Sequence, residues 1–262
     1  RQLFGENLWG VGNVCPDYAG TIAVGLEAQR ERCVERMKIA DEKQRLFLRC
    51  VIRSIDAVLE LAARYKEEAL RVGNQTVASL LEQVPAKGAR TFHEALQFFR
   101  ILHFTLWCEG ENHNCIGRFD QFMYPYWKRD LEEGRLTEEE AFSLLEEFFT
   151  TFNRDHDLYP GIQQGDNGQS LMLGGCDREG NPVFNNLSSA CLRASRELLM
   201  IDPKINLRVD SKTPLEVYCQ GTQLTKVGLG FPQYANDDIV IDGLVKLGYS
   251  LEDARDYTVA AC

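Results

Sequence analysis

The chain has 262 residues, of which 44% are hydrophobic, and a formal net charge of −10. This length and composition allow a buried core in one or two domains, and the scattered Lys and Arg residues argue against binding to nucleic acid. Charges interrupt every apolar run before it reaches the length of a membrane span, and the amino-terminal stretch lacks the order of a signal peptide, so we expect a cytoplasmic protein without a membrane anchor.

A long amphipathic stretch occupies the first part of the chain. Between Leu26 and about Val72, apolar residues recur every three or four positions, as they do on one face of a helix. Arg, Glu and Lys form the other face. Gly73 and Asn74 then supply a stop signal. The pattern predicts one long helix that ends near residue 72.

Three more helices are predicted before residue 153. Thr91 can cap a helix together with Glu94, and the segment that follows, FHEALQFFRILHFTLW, is apolar nearly all round and should therefore be central. The next segment, QFMYPYWKRDLEEG, has a proline near its start and a glycine at its end. Thr137 and Glu140 form a capping box before the third segment, which ends in FFTTF.

The sequence changes character after residue 160. GQSLMLGG and KINLRVD are short apolar runs bounded by Gly, Pro and Asp, which is typical of strands. Helices are predicted from about Leu187 and Pro214, so strands and helices alternate. The expected fold is α/β, mainly helical over residues 1–160 and mixed over 161–262. No repeat or linker marks a domain boundary.

The nine cysteines show no metal-binding pattern. The chain has no C-x-x-C pair and no histidine placed to complete a zinc set, so we predict reduced thiols and no metal site. For any one thiol, burial as a small hydrophobic side chain is the simplest interpretation. The cysteines stand at positions 15, 33, 50, 108, 115, 176, 191, 219 and 262.

Two polar loops are candidates for a ligand site. The first, which includes Glu111, Asn112 and His113, follows the most apolar helix, and burying such groups is costly unless partners are supplied. It is either a ligand site or a solvated loop that caps the helix. The second loop, GIQQGDNGQS, either lines a pocket or forms a turn. Between them, Arg118 and Asp120 are expected to form a structural ion pair.

Six stretches in order across nearly the whole chain resemble one family. They are PDYAGTIAVGLEAQ, VPAKGARTFHEALQFF, GRFDQFMYPYW, DLEEGRLTEEEAFSLL, GGCDREGNPVFNNLS and GLGFPQYANDDIVIDGLVKLGYSLEDARDYTVAAC. Each stretch is weak evidence alone, whereas the ordered series resembles the glycyl radical enzymes related to pyruvate formate-lyase.

The resemblance implies a fold and a catalytic cysteine. Members of this family have a ten-stranded α/β barrel made of two half-barrels, with helices outside, and a loop carries a thiyl-forming cysteine into its centre. Cys262 stands at that position. Residues 1–262 are then expected to be a single fragment of the larger catalytic barrel domain, incomplete and inactive alone, with the glycyl radical domain absent. A closed cavity around the cysteine would exclude water and competing hydrogen donors.

The resemblance also suggests a reaction. The ending VAAC, with QQGDNGQS and GFPQYANDD, is similar to the arylacetate decarboxylases, which convert an arylacetate to a methylarene and carbon dioxide. In this interpretation Cys262 is the catalytic residue, and the substrate-binding residues are Glu111, Asn112, His113, Gln163, Gln164 and Asp166. Alternatives within the family are a diol-type or hydroxyproline-type dehydratase, a C–N or C–S lyase, and a formate acetyltransferase.

The cofactor and partners follow from the same resemblance. No cofactor is expected in this segment, because the glycyl radical would be on a glycine outside the chain and would be installed by a radical-SAM activating enzyme. The full-length protein is expected to be a homodimer that acts on a small-molecule substrate, with or without a small accessory subunit. A non-catalytic helical scaffold, supported only by the long first helix, is the alternative from another class.

Overall fold

A computed structural model of the chain describes residues 12–108, 113–157 and 166–260. Its described residues form two compact units, which we call the helical unit, residues 17–105, and the sheet unit, residues 12–16 with 106–260. Among the helices of the described ranges, none combines the length and apolarity needed to cross a membrane. The prediction that residues 1–262 belong to a single barrel domain stays a prediction.

The helical unit is built from helices that follow one another closely. Five helices lie wholly or mainly within it, and they are α1 (Tyr18–Val24), α2 (Leu26–Met37), α3 (Glu42–Arg71), α4 (Gln75–Gln83) and α5 (Phe92–Cys108). The core of this unit includes Ala62 of α3, Leu81 of α4 and Ile101 of α5, with Val58 and Val77 packed against them. Of these residues, Val58 and Ala62 lie on the apolar face that the helical spacing predicted for the long helix.

The predicted single helix up to residue 72 is wrong in one respect, because the structure divides it into α2 and α3. Asp41 begins α3 with a capping box, in which its side chain accepts from Gln44 N at 2.8 Å and the Gln44 side chain accepts from Asp41 N at 3.1 Å. Such a box satisfies amide groups that the start of a helix leaves without partners. The signal D-x-x-Q was present in the sequence.

The predicted cap and central position of α5 are confirmed. Thr91 Oγ1 accepts from Glu94 N at 3.2 Å, and the Glu94 carboxylate accepts from Arg90 N at 2.7 Å. Phe92, Phe98 and Phe99 are fully buried. A helix that is apolar on all sides therefore forms the centre of its unit, as its composition predicted.

The sheet unit alternates strands with helices. Its α-helices before the first strand are α6 (Phe119–Phe122), α7 (Tyr124–Glu132) and α8 (Glu138–Thr151), and α8 starts at the predicted Thr137 capping box. The remaining elements are β1 (Ser170–Gly174), α9 (Asn186–Leu198), β2 (Lys204–Val209), α10 (Leu215–Thr225), β3 (Gln233–Asn236), α11 (Asp237–Lys246) and α12 (Leu251–Arg255). The predicted strand and helix alternation is confirmed.

The three strands form a parallel sheet in the order β1-β2-β3. Ser170 pairs with Lys204 at the amino end, and Gly174 pairs with Arg208 near the carboxyl end. Beyond β1, Ile116 N donates to Ser170 O at 2.8 Å and Met172 N donates to Gly117 O at 2.9 Å. The chain around residues 115–117 therefore continues the sheet in parallel.

Strand β2 is buried on both faces. One face is apolar, with Ile205, Leu207 and Val209, and the other carries Lys204, Asn206 and Arg208, which are 7%, 2% and 1% exposed. Side chains of a strand alternate between its two faces, so all three polar groups point to the same side of the sheet. Burying such groups is costly unless other polar groups or a ligand face them. The polar face of β2 is therefore the side of the sheet on which a functional site is expected.

Candidate active site

Residues 256–260, the last described residues before Cys262, pass along the sheet from its carboxyl end towards its amino end. Tyr257 O accepts from Arg208 Nη1 at 3.2 Å, near the end of β2. Two residues later, Val259 O lies 2.8 Å from Cys115 Sγ, and this sulfur is 3.4 Å from Ser170 O at the start of β1. Functional groups of parallel sheets commonly gather at the carboxyl ends of the strands. The segment enters there and advances over the sheet.

Arg208 holds the entrance of this segment. Its guanidinium makes two hydrogen bonds of 2.9 Å to the Asp237 carboxylate, in a pair whose side chains are 0% and 4% exposed. It also donates to Arg255 O at 2.8 Å and lies over the Tyr257 ring, 4.1 Å from the centroid. Tyr257 closes the cluster by donating to Asp237 Oδ1 at 2.7 Å.

The surroundings of Tyr257 explain its protonation. Burial and then the hydrogen bond to Asp237 raise the pKa of the Tyr257 phenol above its ordinary value. The phenol therefore remains a hydrogen-bond donor across the neutral range. Together with Arg208, it supplies the fixed donors that a buried carboxylate requires, which makes this cluster a rigid anchor for the backbone at residues 255–257.

The expected Arg118–Asp120 ion pair is wrong. Arg118 pairs with Asp256 at 2.8 Å and donates to Cys176 O at 2.6 Å, so its charge holds the same segment that Arg208 anchors. Asp120 is fully buried and accepts from Ser188 Oγ at 2.5 Å and from Gly174 N at 2.8 Å. It therefore joins the end of β1 to the start of α9, and burial raises the pKa of its carboxyl group, although these hydrogen bonds and the nearby Arg118 charge oppose the shift.

His113 lies against the second polar loop. Gly168 has φ +71°, and a Cβ at this position would overlap the His113 ring. Only glycine tolerates both the positive φ and the close contact without strain, because it has no side chain.

Asn114, which follows His113 in the sequence, is fully buried, and neither its Nδ2 nor its Oδ1 has a hydrogen-bond partner among the residues that the structure describes. A buried amide of this kind is a candidate ligand contact.

Asp166 is anchored to the polar face of β2. Its Oδ1 lies 2.6 Å from Lys204 Nζ, with side chains 18% and 9% exposed. Behind this pair, Asp202 accepts from Asn167 N at 2.7 Å and from Gln169 N at 3.3 Å. Burial raises the pKa of Asp202 to about 7, so its charge changes near neutral pH.

The structure brings together part of the predicted site. His113 packs on Gly168, two residues after Asp166, so the two polar loops meet as a substrate pocket would require. Five of the seven predicted site residues, Glu111, Asn112, Gln163, Gln164 and Cys262, lie outside the described residues, and their roles stay predictions. In the described ranges, no group of three or more His, Cys, Asp or Glu side chains is placed to hold a metal ion.

Sequence reasoning missed several residues that position this site. Arg208, Asp237 and Lys204 were not predicted, nor was the contact between Cys115 and Val259. For Lys204 and Arg208 the sequence did hold a signal, which is the alternation of polar and apolar residues along KINLRV. Because both sets are buried in the structure, the polar residues of this strand line an interior face rather than the surface. For Asp237 and Cys115 the sequence held no comparable signal.

Comparison with known proteins agrees with this architecture. The family model of pyruvate formate lyase-like proteins matches residues 6–262. A (2S)-3-sulfopropanediol dehydratase of Klebsiella oxytoca is 30% identical, over 100% of this chain and 35% of the relative. A 4-hydroxyphenylacetate decarboxylase glycyl radical subunit of Clostridioides difficile is 27% identical, over 80% of this chain and 24% of the relative. The chain thus spans about a third or less of the length of these relatives.

A solved structure shows the same fold. It is described as 1,2-propanediol dehydration in Roseburia inulinivorans, and it matches with a TM-score of 0.90 and 31% identity, over 97% of this chain and 35% of the other. The helix-rich α/β fold predicted from the sequence is confirmed, as part of a glycyl radical enzyme barrel. The chain belongs to the pyruvate formate lyase-like family of glycyl radical enzymes.

Proposed function

We propose that this chain supplies the thiyl cysteine and part of the substrate pocket of a glycyl radical lyase. The observation that carries the proposal is the fixation of residues 255–259, just before Cys262, by Arg208, Arg118 and Cys115. A reactive thiol needs a defined approach to its substrate, since a displacement of about 1 Å can cost on the order of 100-fold in rate. Fixed backbone before Cys262 meets that need.

The reaction proposed first is radical elimination of water from a small diol. Two observations favour it over decarboxylation. The dehydratase relative covers more of this chain, at higher identity, than the decarboxylase relative does. The two polar loops also carry Asn114 and Asp166, with Lys204 paired to Asp166, and such groups suit hydroxyl and anionic substituents rather than an aromatic ring.

The chemistry would proceed with balanced hydrogen transfers. The Cys262 thiyl takes a hydrogen atom from the carbon that carries one hydroxyl group. The hydroxyl group of the neighbouring carbon then leaves as water, with the proton of the hydroxyl group on the radical carbon, which becomes the carbonyl group. The product radical takes the hydrogen atom back from the Cys262 thiol and leaves as an aldehyde. The described residues contribute by positioning the diol hydroxyl groups and by excluding water and competing hydrogen donors.

The decarboxylation predicted from VAAC is the second candidate. Its support is the 27% identity to the 4-hydroxyphenylacetate decarboxylase subunit and the stretches that carry the sequence resemblance. In that reaction Cys262 would generate an arylmethyl radical as carbon dioxide leaves, and the radical would recover a hydrogen atom from the thiol. His113 and Asp166 would then hold the carboxylate or the ring substituent.

The remaining roles belong to the whole protein. We propose a radical-SAM activating enzyme as partner, a homodimer as the assembly and the cytoplasm as location. We also propose a small accessory subunit for the case of a decarboxylase. Its support is the name of the decarboxylase relative, which specifies a glycyl radical subunit. Glu111, Asn112, Gln163 and Gln164 are proposed to complete the substrate pocket.

An anaerobic assay of the full-length protein tests the proposal. After activation by the radical-SAM partner, we expect a glycyl radical signal in electron paramagnetic resonance, and aldehyde formation from 1,2-propanediol or (2S)-3-sulfopropanediol. Carbon dioxide release from 4-hydroxyphenylacetate, without dehydration, would favour the second candidate. Cys262→Ala should keep the glycyl radical signal and abolish turnover, and turnover by this variant would overturn the assigned role of Cys262.

A further inference from the structure

Two thiols meet beside the segment that leads to Cys262. Cys115 is fully buried, whereas Cys15 is exposed, and the structure holds both as thiols. Both sulfurs lie against Gly117, since Gly117 N donates to Cys115 Sγ at 3.2 Å and a Cβ on Gly117 would be 2.8 Å from Cys15 Sγ. Cys115 N also donates to Val14 O at 2.9 Å, so the two cysteine segments run side by side.

From this geometry we propose that Cys15 and Cys115 form an oxidative modification site, in which a peroxide joins them as a disulfide and thereby releases residues 258–260 from the sheet. The release follows from the 2.8 Å contact between Cys115 Sγ and Val259 O. A thiol can donate a hydrogen bond to this carbonyl, but a disulfide sulfur has no hydrogen to donate. Oxidation would therefore remove one of the contacts that hold the segment.

The chemistry is balanced in two steps. The exposed Cys15 thiol reacts first with hydrogen peroxide, and its sulfur becomes a sulfenic acid as one water is released. The Cys115 thiolate then attacks the Cys15 sulfur, the S–S bond forms, and the hydroxyl group leaves with a proton as a second water. Overall, two thiols and one peroxide give one disulfide and two waters.

The surroundings of Cys115 favour its role as the resolving thiol. Hydrogen bonding with the Cys15 thiol, together with bonds from Thr258 and Gly117 N, lowers the pKa of Cys115 even though burial opposes this shift. A larger thiolate fraction makes a thiol a faster nucleophile at neutral pH. Cys176 and Cys191 are also buried, but burial raises the pKa of both thiols, so they are less reactive.

Peptide mapping tests the link. The full chain is treated with hydrogen peroxide, alkylated and digested without reductant by a glutamyl endopeptidase, whose cleavage after Glu109 and Glu111 separates Cys108 from Cys115. We expect a peptide pair joined through Cys15 and Cys115 that dithiothreitol separates. Cys219→Ser, which removes another exposed thiol, should leave the pair unchanged. Cys15 found as sulfinic acid, or joined to another cysteine, would overturn the proposal.

Hydrogen exchange tests the release. Peptides that cover residues 256–262 should exchange severalfold faster after peroxide treatment of the wild-type chain and return to the starting rate on reduction. Cys15→Ser keeps the Cys115 thiol but cannot form the link, so its exchange should be the same before and after peroxide. A link without faster exchange would overturn the coupling to this segment. Both readouts are independent of catalytic activity and of the proposed reaction.

Discussion

Arg208 and Tyr257 are 49 residues apart in the sequence, yet the Arg208 guanidinium lies 4.1 Å from the centre of the Tyr257 ring and donates to the Tyr257 carbonyl oxygen at 3.2 Å. Both side chains also bond Asp237. The buried Arg208 guanidinium thus fixes both the side chain and the backbone of Tyr257. At Tyr257 the segment that leads to Cys262 reaches the sheet.

Replacement of Arg208 should destabilise the chain far more than replacement of an exposed arginine that contacts the same segment. Among the described side chains, Arg208→Met leaves only the Tyr257 hydroxyl to bond the buried Asp237 carboxylate, and we expect a loss of about 3–5 kcal/mol in the free energy of unfolding. Arg178 pairs with Asp253 and Asp256 at the surface, so Arg178→Met should cost about 0–1 kcal/mol. Urea denaturation of the two variants measures the difference, and equal costs would contradict the anchor role.

Asp202 should make the stability of the chain depend on pH. Its pKa is about 7 in the folded chain against an ordinary value of 3.8, so the folded state favours the protonated form. The resulting stabilisation is complete below about pH 4 and is lost as the pH rises to about 7. A difference of roughly three pKa units corresponds to about 4 kcal/mol as an upper bound.

Asp202→Asn tests this dependence, because the amide retains an oxygen that can accept from Asn167 N and it carries no charge. Between pH 4.5 and 7.5, the free energy of unfolding should fall with pH more steeply in the wild-type chain than in this variant. Asp242 is an exposed residue of α11, so Asp242→Asn should keep the wild-type slope. Parallel curves for the wild type and Asp202→Asn would refute the assignment.

Gly168→Ala should destabilise the chain for two reasons, which are the positive φ of Gly168 and the overlap of an added Cβ with His113. Gly134→Ala separates the two effects. Gly134 also has positive φ, at +66°, but its Cβ would meet no atom within 4 Å, so Gly134→Ala should cost only the left-handed strain of about 1–2 kcal/mol. Gly168→Ala adds the overlap with His113 and should cost more. Urea denaturation gives the costs, and the His113 ring resonances should shift in Gly168→Ala alone. A cost no larger than that of Gly134→Ala would show that the His113 contact is absent.

Asn114 should contribute to substrate binding at the expense of stability. Because its buried amide has no partner in the described part of the chain, Asn114→Leu should leave the free energy of unfolding unchanged or raise it by about 1–3 kcal/mol. In the full-length activated protein, the same change should raise KM about tenfold or more.

Asn206 provides the control for this prediction. It is equally buried, but its Nδ2 donates to Lys204 O at 3.1 Å, so Asn206→Leu should lower the free energy of unfolding. Asn114 would be structural rather than substrate-binding if Asn114→Leu lost stability to the same extent.

Local patterns in the sequence were enough to predict most of the secondary structure. The Thr91 and Thr137 caps, β1, β2 and the helices that follow them depend on side chains within about four positions of one another. The division of the first long helix was also encoded locally, in Asp41 and Gln44. The ordered series of stretches further indicated the family, which the comparisons confirmed.

The tertiary structure alone decided which charges and thiols meet. Arg118 pairs with Asp256, 138 residues away, rather than with the nearby Asp120, because the parallel strands place their carboxyl ends beside the segment that follows α12. The contact of Cys115 with Val259, 144 residues away, arises in the same way. Residue type and local spacing determine helices, strands and caps, whereas partners across such separations depend on how the strands are ordered and how the chain returns over them.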